Sequence, residues 1–206
     1  MILLLVFISC GKVFADAAKD AEFNDLVDSL REEGVIPRVR GSVTYFGNFE
    51  DNSANMGYSQ WFTITEAENF VLKGKLTWTS ASTTPSFVYA GCGVVFGADP
   101  ATGNHLLLSV RMDGFVYMSG TKGQTPLSYG RYYYGNPWWE GSADIMLVLN
   151  GDTASFYMNG QRMFAVPGVL IQGNGVGPAA LSGTYSDFGT RCTWEDLYLF
   201  SWEGNN

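Results

Sequence analysis

The chain has 206 residues, 46% of them apolar and 15% aromatic, with 25 glycines. That composition supplies one sizeable core and favours strands and turns over helices. Lys and Arg total 12 against 20 Asp and Glu, a net charge of -8, and acidic charge spread over a surface opposes binding to a phosphate backbone, which excludes nucleic acid as an expected partner.

The N-terminus reads as an export signal over residues 1–15. Ile2-Leu-Leu-Leu-Val-Phe-Ile8 is an apolar run too short to span a bilayer and of the length of a signal-peptide core. Two processing readings stand open. Val6-Phe-Ile-Ser-Cys10 resembles a bacterial lipobox, in which Cys10 would carry lipid and anchor the chain to a membrane. Val13-Phe-Ala15 ahead of Asp16 resembles a small-residue cleavage site. Either reading puts the mature domain outside the cytoplasm, in the cell envelope or secreted. A helical spacer is expected over 16–37. Phe23, Leu26, Val27 and Leu30 recur at helical spacing, Gly34 suits the C′ position and Pro37 discourages continuation.

From residue 38 to 204 the chain reads as strands and turns. Strands are expected at Val43–Phe46, Tyr58–Ile64, Phe70–Trp78 and Phe87–Phe96, the last continuously apolar and so covered on both faces. His105–Met112 and Phe115–Ser119 flank Asp113-Gly114, which reads as a type I′ hairpin. Ser128–Gly141 reads as irregular. Asn150-Gly151 and Asn159-Gly160 then punctuate Ala143–Val166, and Asn-Gly between apolar runs is a strong hairpin signal, so this segment reads as a three-stranded meander with type I′ turns. With Gly175-Val-Gly177-Pro and Cys192–Trp202 the total is about eleven short strands. The expected class is all-β, a two-sheet antiparallel jelly-roll sandwich with one short N-terminal helix.

Glu68-Asn-Phe-Val-Leu72, Cys92-Gly-Val-Val-Phe96, Asn104-His-Leu-Leu-Leu-Ser-Val-Arg-Met-Asp-Gly-Phe115, Ala154-Ser-Phe-Tyr-Met-Asn-Gly160, Gly175-Val-Gly177 and Gly189-Thr-Arg-Cys-Thr-Trp-Glu-Asp-Leu-Tyr-Leu-Phe200 occur in that order. The ordered set resembles the concanavalin A-like lectin/glucanase jelly roll, particularly laminin-G-like and 3-keto-disaccharide-hydrolase-like extracytoplasmic domains, over roughly residues 42 to 202. The resemblance implies two stacked sheets, one concave and often ligand-facing. It leaves open lectin, carbohydrate-binding module, glycosidase and adhesive domain. It also raises calcium as a possible ligand, for which Asp51, Asp99, Asn104 and Asp113 are the turn residues with suitable oxygens.

Glucanases of that fold carry a Glu-x-Asp-x-(x)-Glu strand, because cleavage with retention needs two carboxyl groups about 5 Å apart. No such strand occurs here. Glu66-Ala-Glu68 lies between strands. Glu195 and Asp196 are adjacent, which in a regular strand gives one an inward and the other an outward position. His105 is the only histidine and opens an apolar strand, the place of a capping or rim residue. Gly91-Cys-Gly93 is no phosphate loop, since no helix follows it. Cys92 and Cys192 are either a disulfide pair of an oxidising compartment or two buried thiols.

Tyr129-Gly-Arg-Tyr-Tyr-Tyr-Gly-Asn-Pro-Trp-Trp-Glu-Gly141 is the binding candidate, six aromatics in a stretch broken by glycine and proline. Tyr132, Tyr134, Trp138 and Trp139 would stack on sugar rings, with Arg131 and Asn136 bonding to hydroxyls. The competing reading has Tyr133 and Trp138 closing one end of the sandwich. The functional expectation is an exported, non-catalytic carbohydrate-binding or surface-recognition domain, with a glycoside hydrolase or a structural envelope lipoprotein as alternatives.

Overall fold

The computed structural model describes residues 3–57 and 59–204, with side chains from residue 18 onward. The chain forms two compact units, Met1–Arg40 and Gly41–Asn206.

The first unit contains α1 (Leu3–Glu32), which starts well before the Asp16 expected from the apolar stripe. Cys10 and the Val13–Ala15 site lie outside the described side chains. Among the described residues, no helix is long and apolar enough to cross a membrane. Phe23, Val27 and Leu30 are buried. Gly34, at φ 71°, ends the helix in a Schellman arrangement, in which Val35 N–H donates to Leu30 O and Gly34 N–H to Arg31 O.

The second unit is a two-sheet antiparallel jelly-roll sandwich. One sheet runs β1 (Ser42–Ser53), β13 (Thr190–Trp202), β4 (Asn69–Ser80), β9 (Glu140–Asn150), β10 (Thr153–Met158), β11 (Gln161–Val166). The other has β2 (Ser59–Trp61) and β3 (Thr65–Glu66) against one edge of β12 (Gly175–Leu181), followed by β5 (Gly91–Asp99), β6 (Asn104–Arg111), β7 (Phe115–Lys122) and β8 (Thr125–Tyr133). Strand alternation points Phe70, Leu72, Leu76 and Trp78 of β4 and Ile145, Leu147 and Leu149 of β9 into the space between the sheets. There they meet Val94, Phe96, Leu106, Leu108, Val116 and Met118 from the second sheet in one buried cluster. The inter-sheet layer is further tied by the disulfide Cys92–Cys192, which joins β5 to β13 across the core with Cα atoms 5.6 Å apart.

The meander forms as expected, but its turns differ. Met158 pairs with Gln161, leaving Asn159 (φ 50°) and Gly160 (φ 77°) as the central residues of a type I′ turn. In the first hairpin Asn150 pairs with Thr153, so Gly151-Asp152 are central and only Gly151 has positive φ, which is the type II′ pattern. The I′ expectation there is corrected, since the ladder places Asn150 inside β9. Asp113-Gly114 is likewise not I′. Met112-Asp113-Gly114 forms a three-residue loop with positive φ at Gly114 alone. The segment expected to be irregular supplies β8, hydrogen-bonded to β7 through a tight turn at Gly123-Gln124. Finally, a bulge after Glu195 interrupts β13. Asp196 sits at φ 52°, both carboxylates are partly exposed, and neither takes the inward position that simple alternation gives.

Candidate functional site

The register of the seven-stranded sheet sorts the aromatic segment. Val116 and Met118 of β7 belong to the core, so Phe115 and Tyr117 face outward, and their cross-strand partners Tyr133 and Arg131 on β8 face outward with them. Tyr132 and Tyr134 consequently turn inward. The Tyr132 ring stacks on Phe164 at 3.9 Å between centroids. Tyr134 meets Trp78 edge-on at 6.2 Å and donates its hydroxyl to Arg111 O at 2.6 Å, and burial pushes its phenol far above the ordinary tyrosine value. Tyr129 also packs against the core and accepts Leu170 N–H on its hydroxyl at 2.9 Å. Three of the six rings thus hold the end of the sandwich together.

The outward side of the same segment stays open. Tyr133 and Trp138, which the competing reading used to close the sandwich, are each 60% exposed. Tyr133 donates to Asn136 Oδ1 at 3.2 Å and its ring meets Phe115 edge-on at 5.4 Å. Trp138 is tied to the β6–β7 loop by its backbone N–H, which donates to Met112 O at 2.9 Å. Trp139 is half-buried and tilted 34° to Trp138, so the two indoles do not make one flat platform. Arg131 lies exposed with its guanidinium 5.1 Å from the Phe115 ring centroid, and Arg111 holds its own 4.1 Å from the centroid of Tyr117. Arg111 is fixed further by Nε to Ser109 Oγ at 3.1 Å and Nη1 to Val88 O at 2.6 Å. Asp113, at the loop tip, accepts Tyr117 O–H at 2.7 Å and Phe115 N–H at 3.1 Å. The result is a surface of alternating arginines and aromatic rings rimmed by Tyr133 and Trp138. Sequence reasoning placed Arg111, Phe115 and Tyr117 in strands but not in the site, and gave Tyr133 only an end-closing part, because it took Ser128–Gly141 as irregular and so did not pair it with Phe115–Ser119. The signal that would have found them is the period-2 pairing of β7 with β8.

Other potential chemistry is held in structural bonds. His105 is buried, with Nδ1 2.9 Å from Gly103 O and its ring 4.9 Å from that of Trp61. The contact with a carbonyl assigns the proton to Nδ1. Asp99 receives Ala101 N–H and Thr102 O–H, which together lower its carboxyl below the usual range, Thr102 contributing most. Asn104 Oδ1 accepts Gly123 N–H, and Asp51 Oδ1 accepts Asn52 N–H and Gln60 Nε2–H. The residues considered for calcium therefore sit on three local networks, Asp99 and Asn104 sharing one through Thr102, and no group of three or more His, Cys, Asp or Glu suited to a metal occurs among the described residues. A separate cleft of about 710 Å³ lies between the β9–β10 turn and residues 169–174, with Glu68, Asn69, Asp152 and Gln172 in its walls. It has no aromatic lining residue, and several of its polar groups are already engaged. Asn69 accepts Gly151 N–H, and Gln172 donates to Thr121 O. It borders the far end of β7 and β8, roughly 20 Å along the strands from Tyr133 at about 3.3 Å per residue.

No protein-family model matches the chain, and no curated protein sequence matches it. Solved structures do. The carbohydrate-binding module CBM66 from Bacillus subtilis aligns at a TM-score of 0.52 and 10% identity, over 77% of this chain and 91% of that one. A Bacillus licheniformis beta-glucanase aligns at 0.48 and 8% identity, over 68% and 69% of the two chains. Galectin LEC-6 from Caenorhabditis elegans aligns at 0.47 and 17% identity, over 78% and 100%. The fold is the concanavalin A-like jelly roll. At such identities the likeness concerns fold alone, and the function must be argued from the site.

Proposed function

We propose that this chain is an exported, non-catalytic glycan-binding module whose ligand lies on the outer face of the seven-stranded sheet, against Tyr133, Trp138, Phe115 and Arg131. The observation that carries the reading is the pair of largely exposed rings, Tyr133 and Trp138, beside arginine side chains held rigid on aromatic faces. Exposed rings bury the apolar C–H faces of sugars, and anchored guanidinium groups direct hydrogen bonds to hydroxyls. The fold is shared with a carbohydrate-binding module, which fits the same reading. β6, β7 and β8 contain no Asp or Glu, whereas glycosidic cleavage needs two opposed carboxyl groups, and this favours binding over hydrolysis. Residues 1–15 serve as the leader, through lipidation of Cys10 or cleavage after Ala15, and 16–37 as the spacer. The inter-sheet disulfide supports an oxidising, extracytoplasmic address, since such bonds persist there.

The test is a glycan array and insoluble-polysaccharide pull-down of the full chain beside the Tyr133→Ala/Trp138→Ala variant. Saccharide binding should be lost in the variant with its melting temperature unchanged. Failure of the wild-type chain to bind any polysaccharide, or undiminished binding by the variant, contradicts the reading.

A further inference from the structure

The sheet face that carries the proposed site has a charge opposite to that of the molecule. The chain has net charge -8, yet the outward positions of β6, β7 and β8 carry Arg111 and Arg131 and no carboxylate, with Asp113 of the β6–β7 loop beside them. The acidic strand residues concentrate instead on the six-stranded sheet, at Glu50, Asp51, Glu140, Asp144, Glu195 and Asp196. Where cations elsewhere in the described structure meet carboxylates, they pair with them. Arg31 joins Asp28 at 2.7 Å, Lys75 joins Glu195 at 3.4 Å and Arg191 joins Glu50 at 3.2 Å. Neither Arg111 nor Arg131 has a carboxylate within 4.0 Å among the described residues. Each sits over an aromatic ring instead, an arrangement that fixes the guanidinium plane and leaves edge N–H donors for a ligand. Asp113 is the neighbouring counter-charge, and it is already bonded to Tyr117 O–H and Phe115 N–H.

From this we infer that the ligand is an anionic glycan, a polysaccharide bearing carboxylate or sulfate groups, with Arg131 making the principal charge contact and Tyr133 and Trp138 stacking on adjacent sugar rings. The inference rests on the glycan-binding reading above and narrows it. Guanidinium is the side chain suited to two-point recognition of a planar carboxylate or a sulfate. A neutral sugar needs no exposed guanidinium without a carboxylate partner, and Arg131 keeps that state on a molecule with a large acidic excess.

Matched polymers decide it. The full-length chain is titrated with polygalacturonate and with its fully methyl-esterified, uncharged form, and with dextran sulfate and dextran. We expect affinity for the charged member of at least one pair to exceed that for its neutral partner by about tenfold or more, and to fall as salt is raised through the range in which charges are screened. Arg131→Gln should weaken binding of the charged polymer about tenfold and that of the neutral one by a clearly smaller factor, since only a hydroxyl contact is lost there, and Arg131→Lys should restore part of the charged-polymer binding. Arg131 is exposed, so folding of the variant is checked by an unchanged melting temperature. Equal or stronger binding of the neutral polymers, unaffected by Arg131→Gln, overturns the anionic assignment and leaves the glycan-binding reading standing. Absence of binding to all four polymers, together with a blank array, removes both.

Discussion

Tyr134 shows how a residue that resembles a ligand-binding aromatic can instead hold the site's floor. Its phenol donates to Arg111 O, so it fixes the strand end from which Arg111 reaches Tyr117. Desolvation raises its pKa, with the charge of Asp113 adding to the shift. The folded state therefore keeps a proton that the unfolded chain gives up near pH 10, the ordinary tyrosine value. Its stabilising effect is complete below that pH and declines as pH rises past it. Tyr134→Phe is expected to cost about 1 kcal/mol at neutral pH for the lost hydrogen bond, and the gap to the wild type should narrow above pH 10, where only the wild type has this phenol to ionise. Urea midpoints at several pH values measure this, and a gap that stays constant into the alkaline range contradicts it. Gly160 gives a second test. Its φ of 77° and open surroundings make Gly160→Ala a pure backbone change, expected to destabilise by about 1 kcal/mol. No measurable loss would mean that the turn is not type I′.

At the level of elements, the disulfide joins the two sheets through β5 and β13, which lie 100 residues apart in sequence. In the chain-entropy model a loop of that length stabilises by up to about 4.7 kcal/mol. Replacing both cysteines with alanine should lower the melting temperature by roughly 10 °C or more, and reduction of the wild type should do the same. A shift of a degree or two would contradict that role. The turns carried most of what the sequence revealed at this scale. Asn159-Gly160 and Gly151 fix the β9–β10–β11 meander by local sterics, and Phe70–Trp78 carries apolar residues at core spacing, so these elements could be read directly. β8 could not. It is an edge strand, Thr125-Pro-Leu-Ser-Tyr-Gly-Arg-Tyr-Tyr133, with one face in solvent and few branched apolar residues, and its identity depends on pairing with β7 more than on its own propensity. That omission also hid half of the site. Arg131, Asn136 and Trp138 were legible as binding candidates from composition, but the outward partnership of Tyr133 with Phe115, and the inward turn of Tyr132 and Tyr134, exist only once the register is known.

For the molecule as a whole, charge is distributed unevenly between the sheets. The six-stranded sheet carries most of the acidic strand residues, together with Lys73, Lys75, Arg162 and Arg191, while the outer face of β6, β7 and β8 presents Arg111 and Arg131 among aromatic rings. Gly93 belongs to this design, since a Cβ there would collide with the Leu108 carbonyl oxygen, so β5 and β6 lie closely together beneath Ser109 and Arg111. The cleft beside residues 169–174 is the alternative location for a ligand, a concave space without an aromatic ring in its walls. A crystal structure of the full chain with an oligosaccharide selected from the array tests the central claim most directly. Sugar rings are expected against Tyr133 and Trp138, with Arg131 bonded to the ligand. Density confined to the cleft lined by Glu68, Asp152 and Gln172, with the β6–β8 face empty, would contradict it.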